Sequence, residues 1–346
     1  MRALLLVLPL WLVGCQSLGY YPHLAGGHLA LMRARVPLEQ ARLEQPPEVA
    51  AALAEVAALR QFAAIEMGLP VGDAYRHYVP LQRPWVVWNL VAAPADQLAP
   101  VQWCYPLIGC ASYRGFFDPA RAERSAARWQ AQGLEVYGGG AIAYSTLGWF
   151  DDPVTTPMLA GNSWDRAQLL FHELTHRRLY VPGDTAFNES LATAVGREGA
   201  RRFSARQGVG VAPLPGAEAA RTQVLEWVAH ARQTLQTLYQ SQPDAEALEA
   251  GKRAVQQQLR QRYAEALPQQ PALAAWQRWF AGPLNNAQLA SLQDYTQWVP
   301  AFDRLLLQCG GRWSCFWTGV DQLATLSPAA RSAALSRLTD PESTDD

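Results

Sequence analysis

The segment from Phe171 to Ser190, FHELTHRRLYVPGDTAFNES, holds the residue types and spacing of a metal-and-base site. Residues four apart on a helix share a face, so His172 and His176 can direct both imidazoles at one ion. Glu173 is turned about 100° from His172 and falls beside the ion, not on it. From there its carboxylate can take a proton from a water acidified by the ion and pass it to a leaving amine. The chemistry indicated is hydrolysis of a peptide bond with one Zn2+ per chain.

A pentad of this kind is a weak signal alone, and its surroundings decide. Trp164 to Tyr180 reads as a helix with an apolar face of Leu169, Leu170, Phe171 and Leu174, ended by Pro182 and Gly183. Catalytic zinc takes three protein ligands and leaves one position open. The best third ligand is Glu189, thirteen residues after His176, in the early turns of a second helix capped by Asp184 or Thr185. Ala192 and Ala194 keep that helix slim enough to pack closely. Glu198 is a weaker candidate, because nine residues place it about 180° round the helix. Asp184 is the other contender, and it reads better as a cap or as a partner supporting the ligands, a role shared with Asn188. His23, His28, His77 and His230 are remote and read as surface or core residues, and Pro182 stands where a third histidine of the metzincin pattern would fall.

The elements around this unit follow from periodicity and breakers. Val36 to Met67 reads as helix broken near Pro46-Pro47, Trp85 to Ala93 as a buried strand, and residues 119–132 as an amphipathic helix. Leu134 to Ala143 reads as a strand interrupted by Gly138 to Gly140, a place where another backbone can approach or an extended peptide can pair. From Trp164 onward the chain is almost wholly helical, with a hairpin over Ala217 to Ala266 turned at Gln242-Pro243-Asp244 and a further helix over Ala287 to Leu307. A short C-terminal helix leads into an acidic tail. The expected class is α+β and predominantly helical. The expected division is a targeting segment over 1–14, a catalytic region over 15–206, and a helical region over 207–346 that completes the same unit.

Arg2 and the apolar stretch Ala3 to Val13, too short to span a bilayer as a helix, form that targeting segment. Leu12-Val13-Gly14-Cys15 resembles the lipobox of bacterial lipoproteins, which implies acylation of Cys15 and a membrane anchor. Gln16 in place of an aspartate then points to the periplasmic face of the outer membrane of a Gram-negative cell. Four cysteines remain, and an even count in an exported chain favours Cys104–Cys110 and Cys309–Cys315 disulfides, with crossed pairing left open. A net charge of −1 offers no attraction to nucleic acid, so that partner class is set aside.

Taken together, the chain resembles a family of bacterial lipoproteins described as aminopeptidases. The likeness rests on Gly19-Tyr20-Tyr21, Trp85-Val86-Val87-Trp88-Asn89, Tyr113-Arg114-Gly115, the run Ala143 to Pro153, FHELTH, Phe187-Asn188-Glu189-Ser190 and Val299-Pro300-Ala301-Phe302. It implies a gluzincin-type site in a zincin-like core, with His172, His176 and Glu189 on zinc, Glu173 as base and a peptide as substrate. The G-x-M-E-N motif that holds a free amine in well-studied relatives of this type is absent. Tyr144 and Arg114 are the candidates for stabilising a developing oxyanion, with Tyr295 a third. The competing reading is a non-catalytic lipoprotein that binds cell-wall material or partner proteins.

Overall fold

A computed structural model describes residues 19–105, 109–208, 215–294 and 297–339. Cys15 and the lipobox, Tyr295 and the acidic tail lie outside the described residues. The fold is α+β and predominantly helical. In chain order the helices are α1 Tyr20–Ala34, α2 Leu38–Glu44, α3 Pro47–Ile65, α4 Pro119–Ala131, α5 Ser163–Arg178 and α6 Thr185–Gln207. They continue as α7 Ala217–Gln240, α8 Ala245–Ala266, α9 Gln277–Phe280, α10 Asn286–Asp294, α11 Val299–Gln308, α12 Trp313–Thr325 and α13 Pro328–Thr339. The helix expected over 287–307 is two helices, since Pro300 sits in the first turn of α11, where its missing N–H costs nothing. Likewise Val36–Pro37 is a short strand, β1, with the proline preceding α2.

β1 pairs with β2 (His77–Val79), which pairs with β8 (Val154–Thr155). The second sheet has the order β6 (Arg114–Phe116), β3 (Val87–Pro94), β7 (Leu134–Ala141), antiparallel throughout. Register sets Asn89 opposite both Gly115 and Gly139. Among the described residues β7 pairs with no strand but β3, and its Val136 carbonyl accepts from Asn285 Nδ2 (3.1 Å). The glycines of β7 admit side chains of the neighbouring segment. A Cβ on Gly138 would meet Leu90 at 2.6 Å and one on Gly140 the Trp85 ring at 2.1 Å, whereas one on Gly139 would meet nothing within 4 Å. The remaining strands, β4 (Trp103–Tyr105) and β5 (Gly109–Ala111), form a hairpin closed by a Cys104–Cys110 disulfide. Cys309 and Cys315 are joined between α11 and α12.

The main core lies where α3, α5, α6 and the C-terminal helices meet. Leu53, Leu59, Phe171, Leu174, Phe187, Leu191, Phe302 and Phe316 are almost fully buried there. Each such side chain contributes roughly 1.5–3 kcal/mol relative to exposure, so the apolar face of α5 fixes its orientation. The α7–α8 hairpin has its own core around Val224, Val228, Leu235 and Leu259. A buried polar node fastens it to the sheet. Lys252 pairs with Glu135 and donates to Ala95 O (2.7 Å), the Asn286 N–H donates to the other Glu135 oxygen (2.7 Å), and Tyr239 donates to Asn286 Oδ1 (2.7 Å).

Candidate metal centre

Helix α5 begins in a reciprocal cap. The Asp165 N–H donates to Asn162 Oδ1 (3.0 Å) and the Asn162 N–H donates to Asp165 Oδ2 (3.1 Å). Thirteen residues after Ser163, near its last turn, His176 carries a buried ring, with His172 one turn earlier. The helix stops at Arg178, two residues before the expected end, and Leu179 is extended. The reason lies in the next helix. Asn188 accepts from the Val181 N–H (2.8 Å) and donates to the Val181 carbonyl (2.8 Å), so it takes both polar atoms that a continuing helix would need.

Asp184 caps α6 by accepting from the Phe187 N–H (3.0 Å), and its other oxygen accepts from Arg331 Nε (2.9 Å). This sets the rotation of α6 that turns Glu189 back towards α5. The two helices approach closely because of Gly196, where a Cβ would lie 2.6 Å from the Gln168 carbonyl oxygen and 3.3 Å from His172 Cβ. Ala192, fully buried, continues the same face.

The result is a compact donor set. Nε2 of His172 and Nε2 of His176 are 3.2 Å apart, and Glu189 Oε2 lies 3.2 Å from the first and 3.6 Å from the second. These residues form the group of potential metal ligands found among the described residues. A tetrahedral ion with bonds of about 2.0–2.2 Å needs donors roughly 3.3–3.5 Å apart, so the residues fit zinc. Burial by itself would raise the Glu189 carboxyl, but the charges and hydrogen bonds of His176 and His172 outweigh it and hold it at about 2. For His176 the balance runs the other way. Burial would lower it, and the Glu189 carboxylate raises it instead. Such a cluster retains a proton that a bound cation would displace. Glu198 is elsewhere, held by Arg201 Nε (2.6 Å) and Arg202 Nε (2.6 Å).

Glu173 is half-buried, and burial raises its carboxyl above the ordinary range, with Glu189 adding to the rise against the pull of His172 and His176. Three phenols lie within electrostatic reach of these acids: Tyr75 of Glu173, and Tyr113 and Tyr180 of Glu189. Burial raises all three. Sequence reading passed over them. It selected Arg114, whose guanidinium lies 3.7 Å from the centre of the Tyr20 ring. Side chains alternate across an extended segment, so Tyr113, one residue earlier, faces the other way and packs against Val91, Ala93 and Ala287. Tyr144 is placed against Phe117 (5.0 Å between ring centres) and His28 (6.1 Å). Tyr75 has a signal in its backbone, φ +59°, which is uncommon for a bulky residue and invisible in composition.

No curated protein and no solved structure shows significant similarity to the chain. The model of the family described as Putative aminopeptidase matches residues 19–335. That match spans most of the molecule, including both helices of the donor set, and the chain therefore belongs to this family.

Proposed function

We propose that the chain is a zinc metallopeptidase, held at the periplasmic face of an outer membrane by acylated Cys15. The observation that carries the reading is the triad of His172, His176 and Glu189, with donor atoms 3.2–3.6 Å apart beside a partly buried Glu173. Zinc bound there would supply Lewis acidity towards water and towards a peptide carbonyl. Glu173, made more basic by burial, accepts the proton of the attacking water and returns it to the leaving amine. The Tyr113 and Tyr180 phenols, kept protonated by burial, are donors suited to negative charge developing on the carbonyl oxygen. Towards Gly139 the outer edge of β7, which pairs with no second strand among the described residues, offers backbone groups to an extended substrate. Glu173 also separates this reading from a purely binding role, which needs no acid/base beside the ion.

The test is hydrolysis of a peptide panel by the chain and by Glu173→Gln, with zinc measured by elemental analysis. Expected is one zinc in each and a loss of about 10²–10⁴ in turnover for the variant. Equal activity in both would sink the mechanism.

A further inference from the structure

The loop between β7 and β8 is held at many points. The Thr146 N–H and hydroxyl both donate to Asp152 Oδ2 (2.8 and 3.0 Å). The Trp149 N–H donates to Thr146 O (3.0 Å) and the Phe150 N–H to Thr146 Oγ1 (3.1 Å). Arg177, the residue after the last histidine of the triad, donates to Phe150 O (3.0 Å) and pairs with Asp151 (3.0 Å). Two consecutive residues are left-handed, Leu147 at φ +54° and Gly148 at φ +84°. Strain of that kind at a non-glycine residue persists only where the surroundings over-determine it, and it concentrates at functional segments.

What this fixed loop presents is an adjacent aromatic pair. Trp149 is 66% exposed and Phe150 is 55% exposed, with the Phe150 ring backed by His28 at 4.6 Å. Large apolar side chains held in water on a rigid support mark a contact surface. Its position names the contact. A Cβ on Gly148 would lie 3.8 Å from Arg177 Cα, so the residue before Trp149 rests on the residue after His176. At about 3.8 Å per Cα step, the Trp149 backbone is no more than about 13 Å from that of His176. A peptide advances about 3.3–3.6 Å per residue, so side chains one to three positions from the triad reach the pair.

Resting on the peptidase reading, we propose that Trp149 and Phe150 form a substrate subsite selecting peptides with a large apolar side chain near the scissile bond. A membrane contact would also use exposed aromatics, but it would not require bracing by the metal-bearing helix. Arg177 and Gly148 tie this pair to the triad, and that favours the peptide.

The experiment compares the full chain with Trp149→Ala/Phe150→Ala on peptides that differ only by Phe or Ser next to the cleaved bond. The double variant is expected to lose about tenfold or more in kcat/KM on the Phe peptide, chiefly through KM, and less than about twofold on the Ser peptide. Zinc content and Tm stay unchanged. Binding of the same peptides is measured by calorimetry in a Glu173→Gln background, where the wild-type pair is expected to favour the Phe peptide by a similar factor. Equal losses on both peptides, or none, would overturn the subsite. So would unchanged discrimination with lost partition into phospholipid vesicles, which would make the pair a membrane contact. Absence of turnover with the Phe-selective binding intact would remove the peptidase reading and leave the subsite standing.

Discussion

Asn188 grips Val181 at both backbone polar atoms, N–H to Oδ1 and Nδ2–H to carbonyl, each at 2.8 Å, and so ties the turn after the histidines to the helix that bears Glu189. Asn188 is 1% exposed, so no water replaces it if it is lost. Asn188→Leu leaves the Val181 N–H without that partner, at about 1–3 kcal/mol for a stranded donor, while the Val181 carbonyl keeps the Asp184 N–H (3.2 Å). Expected is a fall in Tm together with a zinc affinity weakened about 10–100-fold, read by chelator competition. A variant that loses stability with unchanged zinc affinity would show that Asn188 does not position the triad.

Gly196 separates close packing from chance. A Cβ there would press on the Gln168 carbonyl oxygen, which is backbone and cannot swing aside, so α5 and α6 must part. Gly196→Ala is expected to cost about 1–3 kcal/mol and to weaken zinc binding. Gly139→Ala is the control, since its Cβ meets nothing within 4 Å, and its stability should stay within about 0.5 kcal/mol of wild type. Thermal unfolding of the pair checks both, and equal effects would contradict the packing argument.

The part of the site written in one short segment was legible: two histidines and a glutamate that the fold brings within 3.2–3.6 Å of one another, all within FHELTHRRLYVPGDTAFNES. Local rules govern such a unit, because spacing on a helix fixes direction. The disulfide partners expected from spacing are likewise the ones found, Cys104 with Cys110 and Cys309 with Cys315. Tyr75, Tyr113 and Tyr180 were not legible. They reach the acids from separate segments, and tertiary packing alone decides which of twelve tyrosines points inward. The break between α10 and α11 and the early stop of α5 were missed for a related reason. Each depends on a residue, Pro300 or Asn188, whose effect on backbone bonding outweighs the apolar period.

The ligand assignment predicts a contrast between two glutamates on one helix. Glu189→Ala should lose most of the zinc, while Glu198→Ala retains it and costs no more than about 1 kcal/mol, since its partners are partly exposed arginines. Acidification should release zinc from the wild type, because protons then compete for the His176 imidazole, which the Glu189 carboxylate already favours in the protonated form. Elemental analysis across a pH series measures both. Zinc retained by Glu189→Ala and lost from Glu198→Ala would reverse the assignment.

Asp152 yields a pH dependence of opposite sign to that of a paired carboxylate. Burial raises its carboxyl to about 6, against the lowering hydrogen bonds from Thr146, and Oδ1 has no partner among the described residues. A raised acid binds its proton more tightly when folded, so its contribution to stability is present at low pH. It is lost as pH rises from the ordinary aspartate range through about 6. The interval corresponds to at most about 3 kcal/mol. Asp152→Asn removes this titration and keeps a carbonyl oxygen for Thr146. The difference in unfolding free energy, variant minus wild type, should therefore rise by up to about 3 kcal/mol between pH 4 and pH 7.5. Denaturant titrations of both chains at several pH values, with a chelator present so that metal does not contribute, provide the measurement. A difference that stays flat, or falls as pH rises, would show that the buried carboxylate is stabilised in the fold and not merely tolerated.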